Sequence, residues 1–312
     1  MQHGLLLLLF FLFFCNFNFL HNDQMMTIDE RQDYFDCLPY SNCYVDIILG
    51  ASEQKSALVA LLFGTYKREG IMKILLLRHG ESANNALFKH IERTRPDASR
   101  EELFEQWRIK RSEDPPLTTQ GVEQARRAGK FYSSLFAEAN VRIFSSPTLR
   151  ALQTSKEFVR NFKVAAPVAV LGNLHERDGI YHTHRNVRSK TKKELKRIFP
   201  EFDFSSLPAG PWYTLDHKET SLEAVQRSKD IVHNWLTSPS FIRQNDHNVI
   251  VLVVHRELIN LLLVAFVGGS NAYFFHDNTA TSLIDIGSKD DIQFRWINRM
   301  DHIHMSESRA LL

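Results

Sequence analysis

Ile74-Leu75-Leu76-Leu77-Arg78-His79-Gly80-Glu81-Ser82 joins an unbroken aliphatic run to a cluster of polar and small residues. The run has no polar face, so it reads as a short strand covered on both sides, as in the parallel sheet of an α/β domain. In open α/β sheets, ligands bind at the C-terminal edge of such strands. Gly80 allows a sharp turn and a close approach to the main chain, and Arg78 offers a planar fork of donors for a tetrahedral oxyanion. His79 is the side chain left to react. A neutral imidazole is nucleophilic and can carry a covalent intermediate, so a His beside an Arg in an anion pocket points to phosphoryl transfer through phosphohistidine. The plainer alternative is an Arg and a His that end a strand by chance, and the tripeptide alone does not decide between the two.

Whole-chain properties constrain the answer less. The 312 residues suffice for one large or two small domains, and 44% apolar content supports a sizeable core. A net charge of +2 makes any anion site a matter of local clustering. Cys15, Cys37 and Cys43 all precede the first strand, so the rest of the chain holds no thiol nucleophile, disulfide or thiolate metal site. Residues 1–20 are a Leu- and Phe-rich segment resembling a signal core or anchor, yet no Lys or Arg precedes it. Two observations favour a working domain that starts near Met72: that residue sits directly before the first strand, and the chain has no Asn-X-Ser/Thr acceptor. Residues 21–71 show neither motif nor period and are expected to be poorly ordered. The compartment is therefore cytoplasmic if the domain starts near Met72. It is secretory or membrane-anchored if residues 1–20 are a true signal, and only then is membrane contact expected.

Downstream, Asn85 and Ser82 are candidate substrate-binding residues, with Asn85 an extra donor to a bound anion. Ser99-Arg100-Glu101-Glu102 opens a helix with Leu103, Phe104 and Trp107 on one side, either an insertion covering the site edge or an ordinary solvated helix. Pro116-Leu117-Thr118-Thr119-Gln120-Gly121 leads into a helix over about 121–138, and Val141–Phe144 is a second strand. Ser145-Ser146-Pro147-Thr148-Leu149-Arg150-Ala151 then starts a helix whose N-terminus and Arg150 both favour anions. Val168–Leu171 is a third strand. Beyond it, Glu176 is a candidate proton donor to a leaving alkoxide, with His175 competing for that role. Val249–Val254 is a fourth strand ending in His255-Arg256-Glu257, followed by a helix to about Val267. Thr281–Ile286 and Ile292–Ile297 look like two more strands. His302 and His304, in a polar tail over 298–312, are weak metal candidates without acidic or thiol partners.

His79, Arg150, Glu176 and His255 come from separate segments, yet each lies just past the C-terminal end of an expected strand. Parallel strands would bring all of them to one edge. The set Arg78-His79-Gly80-Glu81-Ser82 with Asn85, Pro116-Leu117-Thr118 with Gly121 and Gln124-Ala125, Ser145-Ser146-Pro147 with Arg150-Ala151 and Gln153-Thr154, and the late His255 resembles the histidine phosphatase superfamily. That group includes the cofactor-dependent phosphoglycerate mutases, and the resemblance covers residues 72–297. It implies an α/β three-layer sandwich with a mostly parallel sheet flanked by helices. It also implies His79 as the phosphorylated nucleophile, Arg78, Arg150 and His255 as holders of the phosphoryl oxygens, and Glu176 as acid and then base. No metal or other cofactor is implied.

One position departs from that pattern, because the family usually carries Gly after the second His and this chain has Arg256. A long cation there can reach a second anionic group of the substrate, turn to solvent or crowd the pocket. The segments Phe88-Lys89-His90 and Asp178-Gly179-Ile180-Tyr181 lack the Gly-Trp and Tyr-Gly features of glycolytic mutases. A metal-independent phosphomonoester hydrolase is therefore expected ahead of a mutase or a non-catalytic phospho-ligand module. Residues 185–197 carry seven bases and one acid, either a solvated helix face or a collar for an acidic ligand. No aromatics interleave these bases, so nucleic acid is not expected, and the partner is a phosphorylated small molecule or phosphoprotein.

Overall fold

β1 (Met72–Arg78) is buried along its whole length, as is β4 (Asn248–Val254), and the two pair in parallel with Arg78 opposite Val254. Both are apolar throughout because both faces of the sheet at this point are covered. The computed structural model describes residues 71–162, 167–180, 187–213, 219–245, 248–269, 272–288 and 291–304. The apolar segment 1–20, the stretch 21–70 and the end of the polar tail lie outside them.

From β1 the chain runs through α1 (Ala83–Thr94), α2 (Arg100–Lys110) and α3 (Thr119–Leu135) to β2 (Asn140–Ser145) and α4 (Leu149–Val159). β3 (Ala169–Val170), a 3₁₀ turn (Gly172–Leu174), α5 (Lys192–Ile198) and α6 (Ser221–Lys229) follow, with α6 continuing as a π-helical turn to Leu236. Then come α7 (Pro239–Gln244), β4, α8 (Arg256–Phe266), β5 (Thr281–Ser288), β6 (Asp291–Arg299) and α9 (Asp301–His304). The sheet order is β3-β2-β4-β1-β5-β6. β1 to β4 are mutually parallel, whereas β5 and β6 are antiparallel additions at one edge. The fold is the expected α/β sandwich with a mostly parallel sheet.

One face of the sheet, with Leu75, Leu77, Val251 and Val253, packs against α3 and α4 through Ala128, Tyr132, Leu152 and Phe158. The other face, with Ile74, Leu76, Ile250 and Leu252, packs against α8 and the π-helical turn. In α8, Leu258, Ile259, Leu262, Leu263 and Phe266 are buried, each contributing about 1.5–3 kcal/mol relative to exposure. That burial anchors the helix directly behind His255. The third strand is shorter than expected. Val170 and Leu171 donate to Asp203 and Ser145 in turn, and Gly172 then opens the 3₁₀ turn.

α2 starts as its sequence indicates, on a capping box in which Ser99 and Glu102 satisfy each other's backbone amides. Its aromatic side packs on α1, where Phe88, Phe104 and Trp107 form one cluster and Trp107 Nε1 donates to the Asn84 carbonyl at 2.9 Å. The same Asn84 ties down Ser112 by two side-chain bonds. Arg111 and Asp114 are thereby carried from the end of α2 towards the sheet edge.

Candidate active site

The register places Arg78 opposite Val254, and Ser145 opposite Val253. The residues that follow β1, β2 and β4 therefore emerge side by side at one edge. Arg78, His79 and His255 are at most 4% exposed, and Arg150 is 9% exposed.

His79 Nδ1 lies 2.7 Å from the Gly80 carbonyl oxygen. A carbonyl only accepts, so the proton of neutral His79 sits on Nδ1 and the lone pair on Nε2. Arg150 Nε–H donates to that Nε2 at 3.2 Å. Burial first, and then the Arg150 and Arg78 charges, hold the His79 pKa well below the ordinary histidine value. The imidazole is thus kept neutral, with its unprotonated nitrogen turned to Arg150.

His255 stands 5.2 Å from His79, ring centre to ring centre, in an edge-on arrangement. Its Nε2 contacts Ser146 Oγ at 2.8 Å, and its Nδ1 is buried with no hydrogen-bond partner. Arg78 donates Nη1–H to the His276 carbonyl at 2.7 Å, while its Nε is likewise buried and unpartnered. Burial, and then the charge of Arg256, lowers the Arg78 pKa to about 9. The Glu176 and Asp277 carboxylates offset part of that effect.

Glu176 sits at the N-terminus of α8. Its Oε1 accepts from Leu258 N at 3.1 Å and from Arg177 N at 2.9 Å, and Oε2 lies 3.4 Å from Glu257 N. Desolvation still raises its pKa above the usual carboxylate range, against the opposing pull of Arg150. His175, its competitor, is turned away. Its ring stacks on Trp212 at 5.9 Å and its Nδ1 bonds the Glu176 carbonyl.

Of the other expected site residues, Ser82 and Asn85 meet each other. Ser82 caps α1, and Asn85 Oδ1 accepts from both Ser82 N and Ser82 Oγ. Asn85 Oδ1 also receives Asn278 Nδ2, so this oxygen is committed to the protein. Arg256, the first residue of α8, lays its guanidinium over the Phe275 ring at 4.4 Å. The basic run divides. Lys190 Nζ points at Asp114, 3.7 Å away, whereas Lys192 binds the carbonyls of Ser205 and Leu207, and Arg188 pairs with Glu194 in the open. Residues 185 and 186 of that run lie outside the described residues. His302 is buried and contacts Thr279 Oγ1 at 3.1 Å. Among the described residues, no group of three or more His, Cys, Asp or Glu could hold a metal ion.

The remaining motif residues act one layer out. Thr154 Oγ1 accepts from Gly80 N, Gln124 Oε1 from Glu81 N and Gln153 Oε1 from Leu117 N. Sequence reasoning missed the turn at 276–279. His276 offers its carbonyl to Arg78, and Asn278 Nδ2 and Thr279 N both reach the His79 carbonyl. Thr279 holds φ 61° to do so, a left-handed conformation unusual for a β-branched residue. It also missed Asp114, which accepts from Leu149 N at the start of α4 and faces Arg150. The only signal for it was its place just before the Pro116-Leu117-Thr118 turn.

Three solved structures are similar in fold. Bacillus stearothermophilus YhfR is 21% identical over 74% of this chain and 99% of its own, with a TM-score of 0.46. An Entamoeba histolytica phosphoserine phosphatase in complex with 3-phosphoglyceric acid is 18% identical over 74% and 99%, with a TM-score of 0.46. A mycobacterial glucosyl-3-phosphoglycerate phosphatase is 18% identical over 72% and 98%, with a TM-score of 0.45. At these values no residue role is carried over from them, and no curated protein matches the chain. The sequence profile of one family does match, across residues 74–299 and so across every element that builds this edge: the chain belongs to the histidine phosphatase superfamily, branch 1.

Proposed function

We propose that the domain is a metal-independent phosphomonoester hydrolase that works through a phosphohistidine on His79 Nε2. The observation that carries this reading is the neutral His79, its lone pair on Nε2, set among buried nitrogens of Arg78 and His255 that have no protein partner. Buried polar groups normally find partners. A phosphoryl group supplies acceptor oxygens for all of them at once.

In the first step, the His79 Nε2 lone pair attacks phosphorus and the ester P–O bond breaks. The leaving oxygen takes the proton of Glu176, whose raised pKa suits it to arrive protonated. Arg150, released from Nε2, joins Arg78 and His255 on the non-bridging oxygens, where the two guanidinium charges and an imidazole N–H offset the transferring group. In the second step, water attacks the phosphohistidine and gives a proton to the Glu176 carboxylate. The N–P bond breaks and orthophosphate leaves. The electron pair returns to Nε2, and Gly80 again fixes the tautomer.

The test is phosphate release from a panel of phosphomonoesters with a chelator present. His79→Ala is expected to lower kcat by at least about 10⁴-fold, the scale of losing a nucleophile that acts as one unit with its partners. Activity that survives the substitution removes the proposal. Formation of 2-phosphoglycerate from 3-phosphoglycerate in a coupled assay would replace the hydrolase with a mutase.

A further inference from the structure

Arg256 is placed in a way that the phosphoryl chemistry does not use. Its Nε is buried without a partner, and no hydrogen bond or ion pair to its side chain occurs among the described residues. The guanidinium carbon lies over Phe275, 4.4 Å from the ring centre. That contact anchors the guanidinium on the ring and leaves its N–H donors for a ligand. Phe275 is 46% exposed and its neighbour Tyr273 is 55% exposed, so Arg256 borders the mouth of the pocket. The phosphoryl group must lie deeper, among side chains at most 9% exposed.

The direction of the leaving group follows from Glu176. Its carboxyl sits on the first-turn amides of α8, the helix that begins with Arg256. An alcohol that takes its proton from Glu176 therefore departs beside the same helix end. Arg256, the first residue of that helix, stands over Phe275 at the same end.

We infer that Arg256 is a specificity residue that binds a second anionic group carried by the leaving alcohol, so that the preferred substrates are phosphomonoesters bearing a carboxylate or another phosphate a few bonds from the ester oxygen. This rests on the hydrolase reading above. Arg256 is the like charge that acts most strongly on Arg78, so an anion held between the two relieves both.

The experiment compares kcat/KM within two matched pairs: phosphoserine against phosphoethanolamine, which differ by a carboxylate, and propane-1,3-diol bisphosphate against 3-hydroxypropyl phosphate. Wild type is expected to prefer the more anionic member of at least one pair by about tenfold or more, the scale of one charge-assisted hydrogen bond. The pair that shows the preference identifies the group. In Arg256→Gly that ratio falls to about one. Arg256→Lys, which keeps the charge and loses the fork, retains an intermediate ratio and guards against a folding defect in the glycine variant. Ratios equal in wild type and Arg256→Gly, with weaker inhibition by orthophosphate in the variant, overturn the inference and assign Arg256 to the phosphoryl pocket. Phosphate release that does not depend on His79 overturns the hydrolase reading and this inference with it.

Discussion

His79 and Glu176 are tuned in opposite directions, and the pH dependence of turnover follows from that pair. In the proposed reaction the histidine acts in its neutral form, and burial with the Arg150 and Arg78 charges holds its pKa well below the ordinary value. The carboxyl acts there in its protonated form, and desolvation raises its pKa. For an alkyl phosphate, kcat is therefore expected to fall as pH rises through the Glu176 pKa and to persist on the acid side below pH 6. Glu176→Gln abolishes the alkaline limb and lowers kcat about 10²–10⁴-fold, the usual contribution of a positioned acid. The loss is smaller with p-nitrophenyl phosphate, whose leaving group departs without a proton. A pH–rate profile with both substrates checks this, and an alkaline limb that survives in the variant assigns the acid elsewhere. The residue types at this site were legible in the sequence because each chemistry-bearing side chain follows directly on a strand end. The role of Asp114 was not legible, since Leu149, whose amide it holds at 2.8 Å, is far away along the chain.

At the level of elements, the site depends on a close approach between the turn after β1 and the start of α3. A Cβ on Gly80 would stand 2.4 Å from the Gly121 carbonyl oxygen, and one on Gly121 would stand 2.1 Å from that of Glu81. Both obstacles are backbone, so neither can swing aside. Gly121→Ala is expected to cost roughly 2–3 kcal/mol of stability, the upper range for forcing atoms into a packed site. It should also lower kcat, because the displaced turn carries His79. Urea unfolding measures the first effect, and an unchanged midpoint would show that the two segments separate freely. Thr118 caps the same helix, accepting from Gly121 N while donating to Glu81 Oε1. The Pro116-Leu117-Thr118 turn and Gly121 were recognisable in the sequence as a helix start. The contact they make with Gly80 was not, since nothing local distinguishes a glycine chosen for a turn from one chosen for a missing side chain.

Across the whole molecule, the buried imidazoles link folding to pH. The pKa values of His79, His175, His255 and His276 are all lowered by burial, that of His276 to about 4. Unfolded, each binds a proton near pH 6.5, so below that value the unfolded chain holds more protons than the folded one and stability falls with falling pH. Glu176 and Asp114, whose pKa values are raised, act in the opposite sense by taking up protons in the folded state first. They offset part of the loss. The melting temperature is expected to be level from pH 7 to 8 and to drop by several degrees between pH 6.5 and 5. Melts across that range decide it, and a level curve would mean that these histidines are protonated in the folded protein.

The sequence by itself determined the sandwich and the edge at which the candidate residues gather. Runs such as Leu75–Leu77 and Val249–Val254 carry no polar face, and a segment of that kind is stable only when covered on both sides. Parallel neighbours must then end at the same edge. The tertiary structure alone decided the tautomer of His79, the seat of Glu176 on α8, the laying of Arg256 over Phe275 and the support from 276–279. Each of these depends on which carbonyl, amide or ring lies within a few ångströms after folding. Hydrogen bonds and ring contacts are decided by such distances, whereas the pattern of apolar residues records only which side chains must leave water.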